Sequence, residues 1–488
     1  MKKFYITTPI FYPNANLHLG HAYTTTVSDI LARYHRLMGE KTHFLTGSDE
    51  NTQKMVDAAR KTGTDPMMFL DDIVKNFSVL YKRLNISYDQ FIRTSDQVIH
   101  WPGAQLMWEK LSETGDIYEK EYEGLYCVGH EAFITEKDLV DGKCPDHGAI
   151  PERIREKNYF FRLSKYTEQI ARKIETDELL IVPKTRKQEI LSFLKQGLDD
   201  VSFSRPRRAD MPQQLGIPVP GDESQTVYVW CDALANYITA LGYGRGDGQM
   251  EFWPADVHVI GKDILRFHAA IWPGMLLSAG LPLPKSLLVH GFITSGGKKM
   301  SKTLGNVIDP VELLDEYGTD PVRYFLARHI STFEDGDITH EGFLEAYNAN
   351  LANGLGNFAA RVMTLSEKYI ENIEEHIGFF SLPELKNTVV SDATQKYFKA
   401  LDAYDFNAAA DAIWEEIAAG DARMQKVKPF ELVKLDIDKA VEELSKNFVQ
   451  RLWRIAVMLE PIMPETALKL KEAIKSNKKP DNLFPRKE

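Results

Sequence analysis

The chain has 488 residues, with 59 Lys and Arg against 70 Asp and Glu, a net charge of −11. At about 150 residues per domain this length allows roughly three domains, each large enough for a real core. An apolar share of 43%, a charged share of 26% and only 3 cysteines exclude a disordered chain, a collagen and a disulfide scaffold.

The opening reads strand, loop, helix, strand. Phe4 to Thr8 is rich in β-formers and stops at Pro9. A Pro- and Asn-rich loop runs to Asn16. Val27, Ile30, Leu31, Tyr34, Leu37 and Met38 then recur at helical spacing, with Gly39 where a C-cap belongs. Thr42 to Thr46 is a second short strand. This is a βαβ half whose loops lie at the carboxyl ends of strands, where open α/β sheets bind ligands. Any α/β enzyme fits that pattern by itself. From 116 to 225 short segments alternate with Gly, Pro and charged turns, and the span reads as an insertion with a small core of its own. Thr226 to Trp230 and Val257 to Ile260 are strands again, and Ser286 to Ile293 is another, so the α/β sheet resumes. Beyond Glu341 helical stripes such as Phe343, Tyr347 and Leu351 predict a helix bundle. The Lys-rich tail from Lys475 to Glu488 is expected to fray. No apolar run spans a bilayer and the start has no signal-peptide core, so the cytoplasm is the default compartment, with no membrane contact. The acidic total argues against a nucleic-acid coat over the whole surface but leaves room for a local basic groove.

The sharpest motif is His18-Leu19-Gly20-His21, at the start of the first helix. With 13 His and 31 Gly, His-x-Gly-His should arise by chance about 0.02 times in such a chain. Two imidazoles at i and i+3 share one face of the first turn, and a helix N-terminus favours a phosphate. Gly20 leaves room for a base or ribose against the backbone. The alternative is a pair of surface histidines near a turn. A second motif, Gly296-Gly297-Lys298-Lys299-Met300-Ser301-Lys302-Thr303, is a glycine-flanked lysine cluster after a strand. Such a loop closes cations onto a polyphosphate as charge builds. It lacks Walker A spacing, and by itself it reads equally well as a solvated lysine loop. The insertion carries Cys127-Val128-Gly129-His130 and Cys144-Pro145-Asp146-His147, two Cys-x2-His knuckles thirteen residues apart. Those are the ligand types and spacing of a four-coordinate structural zinc site; cysteines with merely neighbouring histidines are the alternative. Cys231 is the odd cysteine and reads as packing.

Together the histidine and lysine motifs resemble the two signatures of class I aminoacyl-tRNA synthetases. Within that class the chain is similar to the methionyl-tRNA synthetases over nearly its whole length. The segments that carry this are Ile10 to Asn16, Thr46-Gly47-Ser48-Asp49-Glu50, Val229-Trp230-Cys231-Asp232-Ala233-Leu234, and Gly261-Lys262-Asp263-Ile264 with His268. The resemblance implies an α/β fold with a Rossmann-type parallel-sheet catalytic domain at 1–115 and 226–300, interrupted by a zinc-knuckle connective peptide at 116–225. A stem-contact region with the lysine loop follows at 301–340, and an all-α helix-bundle anticodon-binding domain at 341–488.

The resemblance also implies a methionine–tRNA ligase. Methionine attacks the α-phosphate of ATP, giving methionyl-adenylate and pyrophosphate, and the terminal adenosine of tRNA-Met then takes the acyl group. His18, His21, Lys299 and Lys302 map onto catalytic, ATP-contacting positions. Gly20 belongs to the same site, Asp263 maps to a ribose contact, and the backbone near Ile293 to the adenine; Mg²⁺ arrives with ATP. Asp49 matches the carboxylate that holds the α-amino group. Ile10, Tyr12, Trp230, Ala233, Leu234, Tyr237, Ile264 and His268 match the methionine pocket, where the Tyr237 hydroxyl and His268 each offer sulfur a weak hydrogen bond. Any one of these aromatics also reads as ordinary core. Cys127, His130, Cys144 and His147 resemble the family's knuckle for one structural Zn²⁺, with His130 where cysteine is commoner. Asn357 and Arg361 resemble contacts to the CAU anticodon, and Phe430 stands where the family usually stacks a Trp; core packing is the alternative.

Departures from the family pattern are local. Asn51-Thr52 replaces the usual His-Gly, Thr303 a usual serine, and Gly420-Asp421-Ala422-Arg423-Met424 departs from Asn-x-Tyr-Ile. At about 110 residues the insertion is too short for a separate editing domain. The lack of a dimer-forming, tRNA-binding extension predicts a monomer that needs no stable protein partner. Two other readings stay open on the sequence: a different ATP-using transferase, and a non-catalytic tRNA- or zinc-binding module. Methionine-dependent exchange of pyrophosphate into ATP separates all three.

Overall fold

The computed structural model describes residues 2–488 except 128–131, 135, 137–138, 146–147, 247, 301–305 and 389–390; the side chains at 53, 54, 122, 132, 133 and 299 also fall outside the description. A 6-stranded parallel sheet forms the centre. Its strands are β1 (Lys3–Phe11), β2 (Lys41–Ser48), β3 (Gln90–Arg93), β4 (Leu180–Val182), β5 (Val257–Gly261) and β6 (Ser286–His290). Their order is β3-β2-β1-β5-β6-β4. β1 is central and buried from Phe4 through Pro9, as expected of a strand covered on both faces. Ile6 lies opposite Phe44 of β2 on one side and Val257 of β5 on the other. The strand order reverses between β1 and β5, so the crevice at their carboxyl ends is the topological switch point.

The first helix, Leu19–Leu37, ends where the sequence indicates, with Gly39 at φ +80°. Ala22, Val27, Ile30 and Leu31 on its buried side join Phe4, Ile6 and Phe44 in one apolar core that continues into the C-terminal helices. A buried ion pair locks this junction. Arg323, fully buried, lies 2.8 Å from Asp29 and donates to the carbonyls of Leu84, Pro461 and Ile462. Burial opposes the Asp29 charge, but the Arg323 and Arg33 guanidiniums and the Ser87 hydroxyl and N–H hold its carboxyl below the usual range. From His340 onward the described residues form helices joined by short connections, and no described helix is long and apolar enough to cross a membrane.

Ile117–Cys127 and Glu152–Phe161 form a long antiparallel pair, flanked by Ala132–Ile134 and Val201–Ser202. Three sequence expectations change here. Leu180–Val182, inside the span read as insertion, is an edge strand of the parallel sheet, paired with Ser286–Leu288; three residues are too few to show a period. Thr226 to Trp230 does not resume the sheet. Asp222–Val227 joins a 3-stranded antiparallel sheet, and the helix Val229–Thr239 begins at once. The Val-Tyr-Val-Trp run favours a strand locally, but Trp230, Ala233, Leu234 and Tyr237 form one helical face whose burial decides the outcome. The tail does not fray at its end: Phe484 is buried, the Asn348 amide exchanges two hydrogen bonds with the Lys487 backbone, and the Tyr347 hydroxyl donates to the Pro485 carbonyl.

Candidate active site

The helix after β1 is capped by histidine. His18 is the N-cap in extended backbone; its Nδ1 accepts the Gly20 N–H at 3.1 Å while His21 Nδ1 accepts the His18 N–H at 3.1 Å. This is a reciprocal capping box built from two imidazoles, whose rings stack with centroids 3.8 Å apart. Because both δ-nitrogens accept, each neutral ring carries its proton on Nε2 and keeps it for a ligand. Burial lowers the protonation of both rings, further for His21, where the neighbouring His18 and His290 rings add to it. At His18 the Asp263 carboxylate partly opposes the shift. Gly20 lets the ring sit close, since a Cβ would stand 2.9 Å from His18 Cε1 and push it aside. In place of the room for a base or ribose expected at Gly20, the structure puts the His18 ring there.

β5 and β6 bring further groups to the same crevice. A Cβ at Gly261 would meet Asp263 Oδ1 at 2.6 Å and His290 Cε1 at 3.7 Å, so this glycine lets the Asp263 carboxylate fold back over the strand end. His290, a histidine that gave no signal inside its apolar strand, has Nε2 at 2.8 Å from Thr24 Oγ1 and donates from Nδ1 to the Gly291 carbonyl at 2.8 Å. The root of the lysine loop follows. Ile293–Ser295 pairs with Lys298–Lys299 across Gly296-Gly297, whose φ values of +61° and +70° suit a tight hairpin turn. Asp337 accepts from the Thr294 hydroxyl at 2.7 Å and the Gly297 N–H at 2.8 Å, fixing that root. Lys299 stands opposite Thr294, and Ile293 and Met300 pack on the core that holds Phe11 and Leu17. The Lys299 side chain and Lys302 lie outside the described residues.

The second half of the site is buried or half-buried. Asp49 follows β2, is 3% exposed, and donates its N–H to the Phe11 carbonyl. Ile10, Tyr12, Trp230, Leu234, Tyr237 and Ile264 share one apolar cluster, with Ala233 buried on the same helix. Phe267 completes it, its ring stacked on Trp230 at 3.6 Å and 9°. A Phe between Arg266 and His268 gave no separate signal. His268 sits in a π-turn, Phe267–Ile271, a geometry frequent at functional sites. The Tyr237 hydroxyl donates to His268 Nε2 at 2.7 Å, and His268 Nδ1–H donates to the Ile264 carbonyl at 3.0 Å. Both donors are therefore used within the protein, which corrects the expectation that each is offered to a thioether. Burial lowers His268 to about 4, so its ring is neutral. Burial also pushes the Tyr237 hydroxyl up, with the Asp49 charge adding to it. Trp230 Nε1 is a buried donor with no hydrogen-bond partner among the described residues.

Two further sets lie apart from the crevice. Asn357 and Arg361 are exposed on the helix Asn357–Tyr369, which continues a π segment. Arg361 and Phe430 line a groove of about 630 Å³ with Lys428 and Lys479; Asn357 is not among its lining residues. Phe430 is 51% exposed, so it is not core. Arg361 pairs with Asp421, one of the departures from the family pattern. Cys127 and Cys144 are 2% and 1% exposed. Between residues 117 and 157 they are the only buried side chains among the described residues, and neither belongs to an apolar cluster. Buried thiols without a surrounding core fit metal ligands. His130 and His147 lie outside the described residues.

Capped imidazoles after β1, an aspartate after β5 and a lysine loop after β6 sit on a matched family. The family model for tRNA synthetases class I (M) matches residues 4–153 and 147–363. The chain belongs to the class I aminoacyl-tRNA synthetases. The methionine–tRNA ligase of Caldanaerobacter subterraneus is 42% identical over 97% of this chain and 74% of its own length. That of Thermotoga maritima is 40% identical over 98% of this chain and 76% of its own length. Mycobacterium tuberculosis methionyl-tRNA synthetase, solved in complex with methionyl-adenylate, has a TM-score of 0.88 at 36% identity, covering 97% of this chain and 94% of that one. Within its class, the chain is a member of the methionine–tRNA ligase family.

Proposed function

We propose that the crevice activates L-methionine with ATP and then charges tRNA-Met. The methionine carboxylate attacks the α-phosphate, pyrophosphate leaves, and a hydroxyl of the terminal adenosine displaces AMP from the adenylate. His18 and His21 meet the triphosphate with Nε2–H donors at a helix N-terminus, beside Gly20, and Lys299 and Lys302 supply cations to it. Asp263 takes the ribose, the Ile293 backbone the adenine, and Mg²⁺ arrives on ATP. Asp49 holds the ammonium group. Ile10, Tyr12, Trp230, Ala233, Leu234, Tyr237, Ile264, Phe267 and His268 shape the pocket for the side chain, where aromatic faces suit a polarizable sulfur. The observation that carries this reading is the reciprocal imidazole cap at the switch-point crevice, with a buried carboxylate and an aromatic pocket one strand away. Arg361 and Phe430, with Asn357 nearby, read the anticodon loop through the groove they border. The enzyme works in the cytoplasm as a monomer. Exchange of labelled pyrophosphate into ATP should proceed with methionine alone and without tRNA; no exchange, or exchange driven by another amino acid, overturns the assignment.

Cys127, His130, Cys144 and His147 hold one structural zinc. Such a metal supplies folding energy, about 10–16 kcal/mol of apparent binding, in a stretch where Cys127 and Cys144 are the only buried side chains among the described residues. Metal analysis should find about one zinc per chain, and a fully folded protein without metal removes the knuckle.

A further inference from the structure

We propose that Asn51 is a positioning residue for methionine, fixing the distance between Asp49 and the helix that carries the side-chain pocket. This rests on the methionine site proposed above. Asn51 is 7% exposed. Its Nδ2 donates to Asp232 Oδ2 at 2.8 Å and to the Thr94 carbonyl at 2.8 Å, while its Oδ1 accepts the Gly216 N–H at 3.0 Å. Both amide hydrogens and the oxygen are in use. A flipped amide would set its oxygen against two acceptors and its hydrogens against a donor, so the network dictates one orientation.

Asp232 relays this restraint. Its other oxygen lies 2.5 Å from His100 Nε2, and His100 Nδ1 lies 2.7 Å from Thr239 Oγ1. Asp232 and Thr239 occupy the back of the helix Val229–Thr239, whereas Trp230 and Tyr237 occupy the pocket face. Gripping the back face at both ends holds the front face still. On the other side, Glu50 separates Asn51 from Asp49 and is itself tied to Arg93 at 2.8 Å and to Ser48 and Ser95. The segment that places the ammonium ligand and the helix that shapes the side-chain pocket thus meet at a buried amide. Gly216 brings the small antiparallel sheet of the insertion onto the same point. Here Asn51 stands where the family usually has a histidine, and the pattern of donors and acceptors around it explains why an amide satisfies the site.

The test is steady-state pyrophosphate exchange. Asn51→Asp sets a second carboxylate beside Asp232 and against the Thr94 carbonyl. The methionine KM should rise about tenfold or more, with the ATP KM within about twofold. Adding Asp232→Asn restores a donor facing an acceptor at the helix while the Thr94 contact stays lost, and the methionine KM should fall back by about threefold or more from that of the single variant. A merely structural role predicts that the double variant regains stability while the methionine KM does not recover, and that result overturns the proposal. If Asn51→Asp does not fold, Asn51→Ala replaces it, with an expected rise of about fivefold in methionine KM; an unchanged value overturns the proposal. Asp49→Asn separates the two layers of inference. If it leaves the methionine KM unchanged, the pocket reading falls; if it raises that KM while the Asn51 variants do not, only the role of Asn51 falls.

Discussion

The two ends of the site use histidine in opposite ways. At the end proposed for the nucleotide, His18 and His21 spend their δ-nitrogens on backbone N–H groups and keep Nε2–H for a ligand. At the end proposed for methionine, His268 donates from Nδ1 to the Ile264 carbonyl and accepts the Tyr237 hydroxyl on Nε2, so nothing is left over. One end is an open cap and the other a closed wall. The difference follows from the ligands each end is proposed to meet. A polyphosphate is charged and hydrated and has to be met by donors already aimed at it. A thioether is held by shape and polarizable surface, with little to gain from strong donors. What the comparison teaches is that the partner of a histidine's second nitrogen, not its place in a motif, decides what the first can do.

Gly20→Ala breaks the open end hardest. The new Cβ would lie 2.9 Å from His18 Cε1, so the ring has to shift from the position in which it caps the helix and stacks on His21. Exchange turnover should fall about 10²–10³-fold, the usual cost of a preorganised donor, while the methionine KM stays within about twofold. A comparable rise in methionine KM would show that the ends are coupled and that the contrast is false.

Acidity should separate the ends next. Protonating His18 or His21 puts a hydrogen on the nitrogen that caps the backbone. Both folded values lie below the ordinary 6.5. Their contribution is therefore complete above that pH and is lost as pH falls through the folded values. His268 stays neutral down to about 4. Turnover over the ATP KM should fall on the acid side below pH 6.5 by up to about tenfold per unit, with the methionine KM flat over the same range. Parallel acid limbs in both parameters would erase the distinction.

The open end was legible in the sequence and the closed end only in part. His-x-Gly-His is rare enough for composition to mark it, whereas the glycine-flanked lysines, which alone read equally well as a solvated loop, gain their meaning from being paired with it. Asp49, Trp230 and His268 were reached through resemblance. Phe267, His100 and the partners of Asn51 were not, because each is a common residue whose meaning comes from a neighbour distant in the chain. His100 and Asp232 show no period together, yet they meet at 2.5 Å. Asn51 looked like a lapse from a pattern until Gly216 and Asp232 supplied its reason. The same blindness hid Leu180–Val182, which is a strand only because β6 offers it an edge.

The mildest expected effect tests the wall directly. Tyr237→Phe keeps the ring in its cluster and removes one hydroxyl, leaving His268 Nε2 as a buried acceptor without its donor. Unfolding free energy should drop by about 1–3 kcal/mol, the usual cost of an unsatisfied buried group, read from denaturant melts. The methionine KM should rise by no more than about threefold, because the hydroxyl is turned to His268 and not to sulfur. A rise of tenfold or more, about 1.4 kcal/mol, would mean that the hydroxyl swings to the thioether once methionine enters. The wall would then be a door, and the corrected geometry of Tyr237 and His268 would describe only the unliganded state.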